Sequence, residues 1–320
     1  SCNVSIGYNS SQANTTGACN VAVGLNALTT NTTASNNTAI GSNALLSNTT
    51  AASNVAVGQG ALQANTTALN NTAVGRVAGN KTTTGCQNVA IGTFAHCVNT
   101  TGDNNVAIGV CSLCTNTTAD ANVAVGFQSL YANTTGASNT AVGAYSLDAN
   151  TTGANNSAFG LNSLTSNTTG ASNTGLGRSS LSTNSTGTCN VAVGNNSMLQ
   201  NTTGGCNVAV GVFTLDSNTT GVQNTAVGYQ SLTVSTTGGN NTAFGSYTGD
   251  SVTTGINNTL IGFNGGHTVT TGDNNTLIGN LAGTDAVRTV TTGDNNIVIG
   301  NNSSATAHIK IDWTVTSDLR

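Results

Sequence analysis

A chain of 320 residues is long enough for two ordinary globular domains, yet only 5% of it is charged and it contains neither Pro nor Glu. A formal charge of −4 with six basic residues gives no electrostatic footprint for nucleic acid or an acidic membrane, and so little charge is equally foreign to an expanded disordered chain. No run of 18 apolar residues is present to cross a bilayer as a helix, so no membrane insertion is expected; opening on Ser1, the sequence reads as a processed product or an excised piece.

From the N-terminus onward one unit recurs. Glycine stands at Gly7, Gly24, Gly41 and every 17 residues to Gly279, and then at Gly300 after a step longer by four residues around Thr284–Val287. With that glycine as position 0, Asn stands at −4 in every unit from Asn3 to Asn296 and an apolar residue at −1 from Ile6 to Ile299. Position +4 is Leu in ten units and Met198 in another; position +9 is Thr from Thr16 to Thr292; position +10 is Gly, or Ala in four early units. Seventeen residues with two glycines leave no room for a helical hairpin, and a unit this short must bury its apolar side chains against its neighbours. Short β-branched runs punctuated by Gly and Asn read as strands and turns. The expected fold is therefore all-β: a parallel β-solenoid (β-roll) of about 17 coils over residues 1–300, followed by a strand, cap or junction over 301–320. Coils ~4.8 Å apart make a rod about 80 Å long. In that reading the Val/Ile at −1 and the Leu at +4 point inward, Ala at −2 points outward, and stacked Asn side chains bond up and down the rod. The Thr-Gly pair at +9 and +10 closes a turn at positive φ.

Cysteines fall in pairs 17 apart: Cys2–Cys19, Cys97–Cys114 and Cys189–Cys206. Each pair shares one position in adjacent coils, at a Cα spacing of ~5 Å that suits a disulfide; either these are clips between coils or thiols carried at ladder positions. Cys86 and Cys111 have no such partner, and the CxxC of Cys111 and Cys114 lacks the second pair a zinc site needs. TTGDNN recurs, so that Asp103 stacks with Asp120 and Asp273 with Asp294; an Asx-turn explains these better than calcium. No metal or cofactor is expected. With no Glu and three scattered histidines, His96, His267 and His308, no catalytic constellation emerges and no enzyme is expected.

Aromatic residues collect one or two places after the glycine. Phe127 and Tyr145 do so in adjacent coils, and Phe213, Tyr229, Tyr247 and Phe263 in four successive ones. Such a stripe could stack sugar rings, pack the corner or meet a sister chain. The NTT segments are also N-x-[ST] sequons, but glycans at every rung would collide, so either the chain is not of eukaryotic secretory origin or most of the sites go unused.

The pentapeptides NVAVG, NTAIG and NVAIG, 18 in register, resemble the N-x-[VA]-[IV]-G signature of the YadA-like head domains of trimeric autotransporter adhesins and related repeats of bacteriophage tail fibres. The resemblance covers nearly the whole repeat region, although family coils are shorter and lack the LxxNTTG arm. It implies a β-roll, a homotrimer, extracellular display on a virion tail or bacterial surface, and attachment to a surface, glycan included. At the end of the chain, Ser317-Asp318-Leu319-Arg320 resembles the start of the intramolecular chaperone domain of tail fibres, which would make Ser317 and Asp318 a processing junction. The expected function is a structural and adhesive fibre segment. The alternative is an ice-binding protein that presents ranks of Thr and Asn.

Overall fold

The computed structural model describes residues 2–284 and 288–304; the proposed junction at Ser317 and Asp318, and His308, lie outside them. Each coil contributes one three-residue strand, from β1 (Val4–Ile6) and β2 (Val21–Val23) to β17 (Thr276–Ile278) and β18 (Ile297–Ile299). Every strand pairs in parallel with the strands of the coils before and after it, so 18 strands form a single sheet running the length of a β-solenoid. The register is 17 residues, as in Val21↔Thr38, and 21 only at the last step, Thr276↔Ile297. At that step an antiparallel bridge joins Thr284 and Thr289.

Away from the sheet, backbone groups still pair from coil to coil. Val21 N donates to Asn37 O and Leu28 N to Ala44 O, while Gly24 N and Asn36 N donate backward to Ile6 O and Ala18 O. Each coil thereby satisfies polar backbone that a short turn-rich chain would otherwise leave unpaired. The recurring glycine is required twice over. It holds φ between 125° and 141° in every coil up to Gly279, and a Cβ on Gly41 would lie 2.6 Å from the carbonyl carbon of Gly58.

The faces of the strands are the reverse of the sequence expectation. Ala at −2 is buried, with Ala22, Ala39 and Ala56 at 0% exposure, whereas Val/Ile at −1 faces out, with Ile40 at 39%. Leu at +4 does point inward, as expected, and Leu28, Leu45 and Leu130 are fully buried. The reason is space: the interior also receives a small residue at +3 and two asparagines, such as Ala27, Asn20 and Asn31, and close packing leaves only a methyl for the strand. The Gly at +10 is likewise not a positive-φ residue. The left-handed positions are +2, +4 and −5, for example Asn43, Leu45 and Asn36, while position +10 is a buried close approach, occupied by Ala34, Ala51, Ala68 and Ala119 where it is not Gly.

Two files of Asn run through the interior. At −4 each Oδ1 accepts the backbone N–H of the next Asn in the file, Asn156 to Asn139 at 3.0 Å, and, Asn122 and Asn296 apart, each amide donates to the +10 carbonyl of its own unit, Asn139 to Gly153 O at 2.9 Å. At +7 the side chains bond one another, Asn150 Nδ2 to Asn133 Oδ1 at 2.9 Å. Because Asn31, Asn48 and their equivalents are fully buried, the NTT sequons are closed in the folded rod, except that of the half-buried Asn14.

Candidate interaction surface

The outer face of the sheet carries only the −3 and −1 side chains, and no charged residue occupies either position in any strand. Position −1 is Val, Ile, Leu or Phe throughout, with Phe159, Leu176 and Phe244 among its most exposed members, the last at 57%. Position −3 is Val, Thr, Ser or Ile. Three residues of strand are roughly 10 Å wide and 18 rungs about 80 Å long, so the strip spans on the order of 800 Å². The −1 row of this footprint is apolar in every strand, whereas the −3 row is Thr or Ser in nine of the 18 strands. The row presented outward is therefore Val/Ile and not the Ala expected there.

The aromatic corner borders the strip. Phe213, Tyr229, Tyr247 and Phe263 form one continuous edge-to-face file, with ring centroids 6.4, 5.3 and 6.1 Å apart in succession. Phe127 and Tyr145 form a second, at 5.3 Å and 82°. Residues at +1 and +2 alternate along the file, which gives each ring the perpendicular neighbour that aromatic quadrupoles favour. Corner packing is thus a property of these six rings, which are nonetheless half-buried or exposed. Arg76 adds a cation over the face of Phe94 at 5.0 Å, on the same corner.

The polar sides are occupied differently. Thr at +8 donates its hydroxyl to the next coil, as Thr151 Oγ1 does to Thr168 O at 3.0 Å, and Ser185 does the same to Thr202 O. The neighbouring Thr at +9 is exposed in every coil from Thr16 to Thr292. The aspartates stack as expected but not as Asx-turns. Asp103 Oδ1 accepts the N–H of Cys86 in the preceding coil at 2.6 Å, and Asp120 that of Asp103 at 2.7 Å. Asp273 and Asp294 serve Ile256 and Asp273 in the same way. Among the described residues no group of three potential metal ligands converges.

All eight cysteines are free thiols, so of the two alternatives it is thiols at ladder positions that the structure holds. The pairs also differ. Cys2, Cys19, Cys189 and Cys206 sit at the exposed −5 position and make no sulfur–sulfur contact, whereas Cys97 Sγ and Cys114 Sγ lie 2.9 Å apart. The histidines are not assembled with them into a site. His96 replaces Leu at +4 and is fully buried, its Nε2 accepting from Asn116 Nδ2 at 3.2 Å while Nδ1 finds no partner. Burial alone pushes its pKa down to about 3. His267 pairs with Asp250 on the surface at 2.5 Å. Register alone places all three pairs at the same spacing and does not distinguish Cys97–Cys114 from the other two. No protein-family model and no curated protein matches the chain.

Proposed function

We propose that the chain is a rod segment of an extracellular fibre, of the tail-fibre or surface-adhesin kind, that associates with copies of itself and serves attachment. The observation that carries this reading is the uncharged Val/Ile strip along the whole sheet face. An area on the order of 800 Å² per partner is that of a standard stable interface. A second copy is the occupant that fits best, because its own strip repeats at the same rise and meets the first rung for rung. A homotrimer, as the YadA-like resemblance implies, lets each strip face a sister chain, while the polar flanks and the aromatic corner stay outward for a surface, glycans included. Sedimentation of the chain at tens of micromolar, beside a variant with Ile108→Lys, Val142→Lys and Val210→Lys, tests it. The wild type is expected as a trimer and the variant as a monomer with an unchanged far-UV spectrum. A monodisperse wild-type monomer sinks the reading.

One observation favours the second reading, ice binding. The +9 Thr file is solvent-facing in every coil, and it persists at Thr84, Thr237, Thr254 and Thr271 where the Asn two places before it is replaced. Thermal hysteresis measured on concentrated protein decides it; freezing and melting points that coincide remove it.

A further inference from the structure

The three register-matched cysteine pairs are not equivalent, and the difference is chemical. At −5 the side chain leaves a left-handed turn, with φ of 57° at Cys19 and 59° at Cys189 and Cys206, and points into solvent without meeting its counterpart. At +5, Cys97 and Cys114 face each other across one coil step. Their sulfurs are 2.9 Å apart, so closure to the ~2.05 Å of a disulfide asks for a movement of roughly 0.9 Å. Cys111 stands three residues before Cys114 in the same coil, half-buried, and is the competing thiol.

We propose that Cys97 and Cys114 are an oxidisable pair that closes into a disulfide between two successive coils by exchange with a small-molecule disulfide, while the two exposed pairs do not. Cys114 is half-buried and reachable from solvent, and Cys97 lies beneath it. The Cys114 thiolate attacks one sulfur of the small disulfide, forming a mixed disulfide and releasing one small thiolate. The Cys97 thiolate then attacks Cys114 Sγ, forming the Cys97–Cys114 bond and expelling the second small thiolate. The two protein protons end on the two released thiols, and the small disulfide is the species reduced. The hydrogen bond between the two thiols pushes the Cys97 pKa down and that of Cys114 up, so Cys114 is the slower of the two to ionise and its attack on the small disulfide sets the pace of the exchange.

The test treats the folded full chain with oxidised glutathione and maps its peptides without reduction. The expected result is one internal link, Cys97–Cys114, formed in preference to any other, with the remaining six of the eight cysteines outside internal bridges. A Cys111→Ser variant is expected to keep that link. The proposal is overturned if Cys97 or Cys114 stops at a glutathione adduct, if the bridge maps to Cys111–Cys114, or if Cys2–Cys19 or Cys189–Cys206 closes at the same rate or faster.

Discussion

The coils before Gly245 and those from Gly245 onward fill the same interior with different side chains. In most of the early coils Leu at +4 meets Ala at −2 and Asn at +7, as in Leu147, Ala141 and Asn150, with Ser11, Gly79, His96 and Met198 the exceptions at +4. In the late coils +4 is Gly249, Gly266 and Gly283, +7 is Val252, Val269 and Val290, and −2 becomes Leu260 and Leu277. A Cβ on Gly266 would lie 2.7 Å from Leu260 Cδ2, and one on Gly283 2.8 Å from Leu277 Cδ1. The leucine has moved from the turn to the strand, and glycine marks the place it left. The backbone ladder tolerates this because core volume is conserved. The −4 Asn file runs through both regions unchanged, since only its side chain joins a backbone N–H in one coil to a carbonyl in another.

The largest effect is expected at Leu260. Leu260→Ala leaves a cavity that neither Gly249 nor Gly266 can fill, at a cost of about 4 kcal/mol. Adding Gly266→Leu restores the early arrangement at a position whose φ of 65° resembles the 53° of Leu28. Denaturant unfolding followed by circular dichroism is expected to recover at least half of the loss; a double variant no better than the single one would refute the exchange of roles. The next effect is shared by both regions. Asn139→Ala and Asn258→Ala each orphan a buried backbone N–H, of Asn156 and Asn275 respectively, at about 3 kcal/mol apiece. Hydrogen exchange at those two amides is expected to accelerate to a similar extent, and a marked asymmetry would show that the two regions rely on the file unequally.

The contrast also explains what could be read in advance. Register, coil length and the buried Leu at +4 follow from strict recurrence, because in-register stacking of identical units has one parallel solution. The face of the strand did not. V-A-V establishes that Val and Ala point opposite ways, and transfer free energy favours Val inside; the space left by Leu147, Asn150 and Asn156 admits only Ala. The signal that resolves this was present in the sequence: −2 becomes Leu260 and Leu277 in coils where +4 becomes Gly266 and Gly283, as expected only if both point into one core. The aromatic corner was legible as a position, but the edge-to-face order of Phe213 through Phe263 depends on the alternation of +1 and +2. The separate fates of the cysteine pairs depend on side-chain direction, which spacing does not carry.

His96 breaks the early pattern with a polar +4 residue and should make those coils sensitive to acid. Its folded pKa of about 3 lies below the ordinary histidine value of 6.5, so only the unfolded chain takes up the proton as the pH falls from 6.5 towards 3. Its share of stability is complete above 6.5 and is about 2 kcal/mol lower by pH 5. His96→Leu restores the usual core residue and is expected to flatten that part of the pH dependence. An unchanged profile in the variant would assign the acid sensitivity elsewhere.

The smallest expected effect concerns the +7 file, which differs most between the regions and is also interrupted once within the early coils. Asn65 Oδ1 and Asn218 Oδ1 are buried without a partner, and each stands where the file stops, before Thr82 and before Ser235. Elsewhere the same oxygen accepts from the Asn of the next coil, as Asn48 Oδ1 does from Asn65 Nδ2 at 2.8 Å. Thr82→Asn would supply a donor to Asn65 and an acceptor to Asn99, joining two runs into one, for a gain of about 1 kcal/mol. Ser235→Asn would satisfy Asn218 but face Val252 on its other side, carrying the orphaned oxygen one coil further with little net gain. Paired unfolding measurements that found the two substitutions equally stabilising would mean that the end of the file, and not its continuity, sets the energy.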